Sequence, residues 1–306
     1  VRIGVAVGLS GASFDPDTGL EPLLEAVDES GVDTLWSLEN PLADQPEPLT
    51  WLGWSAALRP NLSIGTAALI APIREPILLA RQLLTLDRLT NGRLWVGLTI
   101  GRREDDYLLT GTDFATRGRR LEDVIAVVRA CGTGQPVEVS GSTGEWTAAA
   151  VGLAPSQSGS PPLLVGGQAD RALRRAAEIG DGYLGGATSG PDHAIAAVPQ
   201  LRELLERSQH PDRPFHLVTN VFVQLGDTVT SALDVASSTL AARHGGHMPY
   251  DPADVVVAGP AQVVAERLGA VVDAGYQGVN LVPVTMDLPQ IAALGEVVRD
   301  LRGAAR

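Results

Sequence analysis

The sequence predicts an α/β fold, a closed (β/α)8 barrel formed as one domain over residues 1–306, and three observations lead there. Short β-branched runs alternate with longer helical patterns, which is how a parallel sheet covered by helices is written. The runs number eight. No Gly-x-Gly-x-x-Gly follows the first of them, as a doubly wound dinucleotide-binding sheet would require. A chain of 306 residues is long for one domain, but α/β barrels commonly reach that size.

The strands are expected at Arg2 to Val7, Asp33 to Ser37, Leu62 to Ala68, Arg93 to Thr99, Leu163 to Val165, Gly182 to Leu184, His216 to Val223 and Gly278 to Val282. Helical patterns between them include Leu20 to Ser30, Ile77 to Leu89, Leu121 to Ala130, Ala169 to Ile179, Thr228 to Arg243 and Ala261 to Ala274. Each carries apolar residues at three-to-four-residue spacing, as Leu121, Val124, Val127 and Val128 show. Punctuation agrees: Pro260 precedes the last of these helices and Gly275 follows it, and Gly180 follows the helix that starts near Asp170. The stretch Gly132 to Pro162 breaks the rhythm, being rich in Gly, Ser and Thr around alternating Val137, Val139 and Trp146. It reads as a hairpin inserted between helix four and strand five.

Composition narrows the partners. Twenty-three basic against 36 acidic residues give a net charge of −13, which excludes a general attraction to nucleic acid or to an anionic membrane. Apolar runs are interrupted well before the roughly 20 residues that span a bilayer. The chain opens directly on its first strand with no cleavable leader pattern, and the single cysteine, Cys131, fits a reducing compartment. A soluble, cytoplasmic protein is expected.

In a barrel the chemistry sits where the strands end. The second strand ends in Ser37-Leu38-Glu39-Asn40, offering a carboxylate for proton transfer or for a structural ion pair. The fourth ends in Thr99-Ile100-Gly101, and the loop beyond holds Arg102, Arg103 and Tyr107: guanidinium donors for a phosphate or an anionic substrate, and a phenol to pack or donate. Gly166 and Gly167, followed by Gln168, close the fifth strand just before a helix; Gly185 and Gly186 repeat the theme after the sixth. Such glycines mark either a tight turn or bare N–H groups at a helix start that receive a phosphate. Arg117, Arg119 and Arg120 are read as structural, paired with Glu122 and Asp123. His244 and His247, separated by two glycines, make no metal pair, and no metal site is expected.

Two segments resemble the bacterial luciferase-like monooxygenase family. One runs from Ile64-Gly65-Thr66-Ala67-Ala68 through Pro72, Arg74-Glu75-Pro76 and Asn91-Gly92-Arg93 to Gly97-Leu98-Thr99-Ile100-Gly101 and Arg117-Gly118-Arg119-Arg120. The other is Pro161 to Gly167 with Ala176 to Tyr183, joined by Gly259 to Leu268 near the C-terminus. The resemblance implies a bulged third strand with a non-prolyl cis peptide around Ala67-Ala68 beneath the cofactor ring, and Thr99 beside that ring. It implies an oxidoreductase: either reduced FMN, supplied by a separate flavin reductase, with oxygen acting on a small organic substrate, or coenzyme F420 in hydride transfer. A homodimer is implied by family habit, and a non-catalytic flavin-binding subunit is the competing class. Two departures stand out. Asn40 replaces the histidine many relatives carry beside an acid, and Ile100 replaces a phosphate-binding arginine.

Overall fold

The computed structural model describes residues 1–8, 20–243 and 249–304. Eight parallel strands close a barrel in the order β1 (Arg2–Val7), β2 (Thr34–Ser37), β3 (Ser63–Ile70), β4 (Leu94–Thr99), β7 (Leu163–Gly166), β8 (Gly182–Gly185), β9 (His216–Leu225) and β11 (Gly278–Pro283), with β11 returning to β1. All eight expected strands are present within two residues at either end. The hairpin is there too, as β5 (Val137–Ser140) paired antiparallel with β6 (Glu145–Ala148) between α5 (Arg117–Gly132) and β7.

The covering helices are α1 (Glu21–Glu29), α2 (Pro48–Leu58), α3 (Pro76–Leu89), α5, α6 (Asp170–Ile179), α7 (Gly190–Glu206), α8 (Val229–Arg243), α10 (Ala261–Asp273) and α11 (Leu288–Ala304), with short turns at α4 (Glu104–Leu108) and α9 (Pro252–Val255). One strand had no counterpart in the sequence reading. β10 (Val256–Gly259) pairs with the upper half of β9, Phe222 to Leu225, while the lower half of β9, His216 to Thr219, pairs with β8.

The pleat sends alternate residues of each strand outward to the helices and inward to the barrel axis. Ile3, Val5 and Val7 of β1 are buried in the apolar layer beneath the helices. Gly4 lies on the inner side, where an added Cβ would lie 2.6 Å from Trp36 Nε1; at Gly65 it would lie 2.5 Å from the same indole. Two glycines thus make room for one large ring inside the barrel.

The arginines at the start of α5 are structural, with partners other than those expected. Arg120 donates to the carbonyls of Pro72 (2.7 Å) and Arg74 (3.3 Å) in the turn after β3. Arg117 lies over the Phe114 ring and donates to its carbonyl. Glu122 pairs instead with Arg175, and Asp123 accepts from Ser142 N, Thr143 N and the Thr143 hydroxyl, which fixes the turn of the inserted hairpin. Those hydrogen bonds need acceptors in one place and a carboxylate supplies them, whereas a guanidinium reaches many carbonyls.

Candidate active site at the barrel mouth

The mouth is built from the C-terminal ends of the barrel strands. β3 is irregular there: the register with β4 shifts between Thr66 and Leu69, and the Ala67–Ala68 peptide is cis, at the position the resemblance implied. Thr99 ends β4 opposite Ile70 of β3, and its hydroxyl is 3.5 Å from the Gly101 N–H. Gly166, at the end of β7, lies beside it: a Cβ there would sit 3.9 Å from Thr99 Cβ. Ala67, Ala68, Thr99 and Gly166 therefore form one stretch of small residues along three adjacent strands.

The four mouth glycines divide by cause. At Gly167 the backbone has φ of 142° and an added Cβ would stand 2.5 Å from Ala172 Cβ; at Gly185 it would run into the Thr219 hydroxyl. Packing alone explains both. At Gly166 the nearest atom would be 3.4 Å away, and at Gly186 3.6 Å away, which is ordinary contact. A methyl group would meet only ordinary contacts at either, so packing does not demand glycine there; Gly166 is buried and Gly186 half-buried. Gln168 links the two loops, donating to the Thr188 hydroxyl at 2.9 Å.

Both loops lead into helices whose first N–H groups lack side-chain caps: Ala169 precedes α6 and Ser189 precedes α7, and neither side chain caps its helix. The Ser189 hydroxyl is buried and has no hydrogen-bond partner among the described residues. Helix starts present unpaired N–H groups and the positive end of the dipole. Two such starts, an orphaned hydroxyl and the half-buried Gly186 backbone form a donor set suited to a phosphate, so the residues present fit the phosphate-bearing tail of a flavin-type cofactor. Ser189 and Thr188 were missed in the sequence, although Ala187-Thr188-Ser189-Gly190-Pro191, a hydroxyl pair before Pro at a helix start, is a legible signal.

The proton-transfer candidates are committed elsewhere. Glu39 is the ion-pair carboxylate of the two readings: it meets Arg74 at 2.5 Å and accepts from Ile70 N at 2.5 Å, with its side chain 4% exposed. Arg74 also reaches Glu47 at 3.1 Å. Burial alone would lower the Arg74 pKa, but the Glu39 carboxylate and then Glu47 raise it above the usual value, so the guanidinium stays charged. Tyr107 is likewise withdrawn. Its ring stacks edge-on against Phe114 beside Ile70 and Ile73, its hydroxyl donates to the Ile100 carbonyl, and burial pushes its pKa up.

Asn40 and Arg103 come together, the Asn40 carbonyl oxygen accepting from the guanidinium, which also binds the buried Asp106 at 2.7 Å. Arg103 is thereby tied to the protein; Arg102 is exposed and near Tyr250, whose pKa burial raises although Arg102 and Arg243 oppose the rise. His244 and His247 lie outside the described residues. Among the described residues no cluster of three metal-ligating side chains occurs, and no helix is long and apolar enough to cross a membrane.

Fold and mouth define a class, and comparison with known proteins places the chain in it. The profile of the luciferase-like monooxygenase family matches residues 11–278, and the chain belongs to that family. An uncharacterised protein of Mycobacterium tuberculosis is 38% identical over 149 residues, 48% of this chain and 51% of its own, so the chain spans about half the length of this relative. An F420-dependent glucose-6-phosphate dehydrogenase of Kineococcus radiotolerans is 25% identical over 256 residues, 78% of this chain and 75% of that one. Among solved structures, the monooxygenase RslO1 from Streptomyces bottropensis superposes with a TM-score of 0.83 over the whole of both chains at 15% identity, a likeness of fold.

Proposed function

We propose that the protein is an oxidoreductase that holds a flavin-type carrier at the barrel mouth, coenzyme F420 in the first place, and acts on a small organic substrate. The observations that carry this reading are the two uncapped helix starts after β7 and β8, with the orphaned Ser189 hydroxyl and the half-buried Gly186 backbone at the second of them. F420 is placed first because the F420-dependent relative matches over 78% of this chain. FMN is the second reading, favoured by the description of the family as a monooxygenase and by an overall charge of −13, which suits a carrier with fewer acidic groups.

The carrier supplies the redox chemistry, hydride exchange for F420 or oxygen activation for reduced FMN delivered by a separate reductase. The chain's own residues supply the rest. Gly166, Gly167, Gln168, Gly186 and Ser189 would receive the phosphate, the small residues Ala67, Ala68 and Thr99 would lie beside the ring, and Arg102 would steer an anionic group. Glu39 and Arg74 hold the end of β3 in place, since the carboxylate accepts from the Ile70 N–H. With Glu39 and the Tyr107 hydroxyl occupied, neither serves as the acid or base.

Side-by-side titration with F420 and FMN tests the proposal, repeated with Gly186→Asp and Ser189→Ala. Gly186 has room for the new side chain, whereas Gly167→Asp would collide with Ala172. Tight binding of one carrier, weakened at least tenfold by Gly186→Asp, supports the reading and selects the carrier. Binding without turnover in either regime selects a non-catalytic flavin-binding subunit, and no binding of either refutes the proposal. A homodimer belongs to the same proposal; solution scattering giving a monomer mass at every concentration refutes that part.

A further inference from the structure

A cavity lies away from the mouth. It opens at the opposite end, where the strands begin, and has a volume of about 640 Å³, within the range of small-molecule sites. Barrel feet are ordinarily plugged by inward side chains. Here the inward positions of adjacent strands β1 and β11 include Gly4 and Gly278 beside Arg2 and Asn280, and Thr34 of β2 adds only a short side chain.

The walls are aromatic and aliphatic: Trp36, Trp95, Val218, Val272 and Tyr276. Trp95 stands edge-on to His216 with ring centroids 5.0 Å apart, and the Arg2 guanidinium lies 5.3 Å from the Trp95 ring centroid. Burial lowers the His216 pKa, which keeps the imidazole neutral near neutral pH. Two polar lining side chains are already used: Gln157 donates to Asp87 and Leu94 O, and Gln277 accepts from Leu217 N.

The inner end is different. Asn280 donates to Asn220 Oδ1 at 3.0 Å, but among the described residues nothing donates to Asn280 Oδ1. Beside it, against the same Gly4, the Trp36 Nε1–H is buried and without an acceptor among the described residues. A buried donor left unpaired is costly, and a neighbouring unsatisfied acceptor offers the complementary half of a recognition edge.

We propose that the foot of the barrel binds a planar, uncharged heteroaromatic molecule with a lactam edge. Its ring lodges among Trp95, Val218, Val272 and Tyr276. Its N–H donates to Asn280 Oδ1, and its carbonyl accepts from Trp36 Nε1 once the Asn280 amide turns slightly aside. This site is separate from the mouth and owes nothing to the identity of the redox carrier.

The experiment uses carbostyril, a bicyclic aromatic lactam, added to the full chain labelled at its five tryptophans and followed by the indole N–H resonances. Each signal is assigned by a single Trp→Phe variant. The Trp36 and Trp95 signals are expected to shift with one-to-one saturation, Trp36 downfield as it gains an acceptor, while Trp51, Trp54 and Trp146 stay still. Saturating F420 or FMN leaves the carbostyril affinity unchanged, and Val272→Trp, which fills the cavity from α10, lowers it about tenfold or more. No saturable shift of Trp36 and Trp95 up to millimolar carbostyril overturns the proposal, as does unchanged affinity in Val272→Trp. Should that variant not fold, the wild-type spectrum decides.

Discussion

Replacing Glu39 by Gln separates a structural role from a proton-transfer role. Gln has nearly the same shape and keeps an amide oxygen for the Ile70 N–H, so the change removes the charge that faces Arg74 and little else. The pair is enclosed, with side chains 4% and 16% exposed and the shortest N–O distance 2.5 Å. Breaking a buried pair from one side costs about 3–5 kcal/mol, because the remaining charge is left uncompensated. Glu47 still reaches Arg74 at 3.1 Å, and its own side chain is 46% exposed, so the lower end, about 3 kcal/mol, applies. For a chain of this size that lowers the melting temperature by roughly 6 °C. Urea unfolding of Glu39→Gln, Arg74→Met and the double variant gives the coupling energy directly. A coupling below about 0.5 kcal/mol with wild-type stability in Glu39→Gln refutes the structural reading and returns Glu39 to catalysis.

Other expectations rest on separate features. Because the His216 pKa is lowered in the fold, the unfolded chain takes up that proton first as pH falls through about 6.5; stability therefore drops on acidification until the folded imidazole also protonates. The urea midpoint of His216→Phe, which keeps a ring beside Trp95, should fall less between pH 7.5 and 5.5 than that of the wild type; equal falls would rule the histidine out. Asp123→Ala removes three hydrogen bonds from the hairpin turn and should cost about 2–4 kcal/mol, seen as accelerated proteolysis within residues 141–144; unchanged protection there contradicts it. Gly185→Ala should destabilise the fold, while Gly166→Ala should leave stability within about 0.5 kcal/mol and weaken carrier binding; the reverse order in calorimetry would dismiss the distinction drawn between the mouth glycines.

The strands were legible because a parallel barrel buries both faces of each strand, so Ile3-Gly4-Val5-Ala6-Val7 and Gly278 to Val282 stand out as near-continuous apolar runs. β10 escaped because its four residues, Val256 to Gly259, run directly into Pro260 and look like the lead-in to a helix, and its partner is the far half of a strand already assigned. α2 is hard to read for another reason. Its buried Leu49, Trp51, Leu52 and Ala56 share the helix with exposed Trp54 and Leu58, so no polar face betrays the period. At the site, position was readable and partnership was not. Glu39, Arg103 and Tyr107 were placed at the mouth by their strand ends, but whether each points to a ligand or to Arg74, Asp106 or Ile100 depends on residues distant in sequence.

β10 also changes the shape of the vessel. The ring of eight closes at its foot through β8 and β9, whereas towards the rim β9 leaves β8 after Thr219 and takes up β10 from Phe222 onward, and β10 has no ladder to β8. The backbone ladder is therefore parted on one side only, next to the loop that carries Gly186 and Ser189. Substitutions in β10 should thus alter the rim beside Gly186 and Ser189 while the foot keeps its gauge.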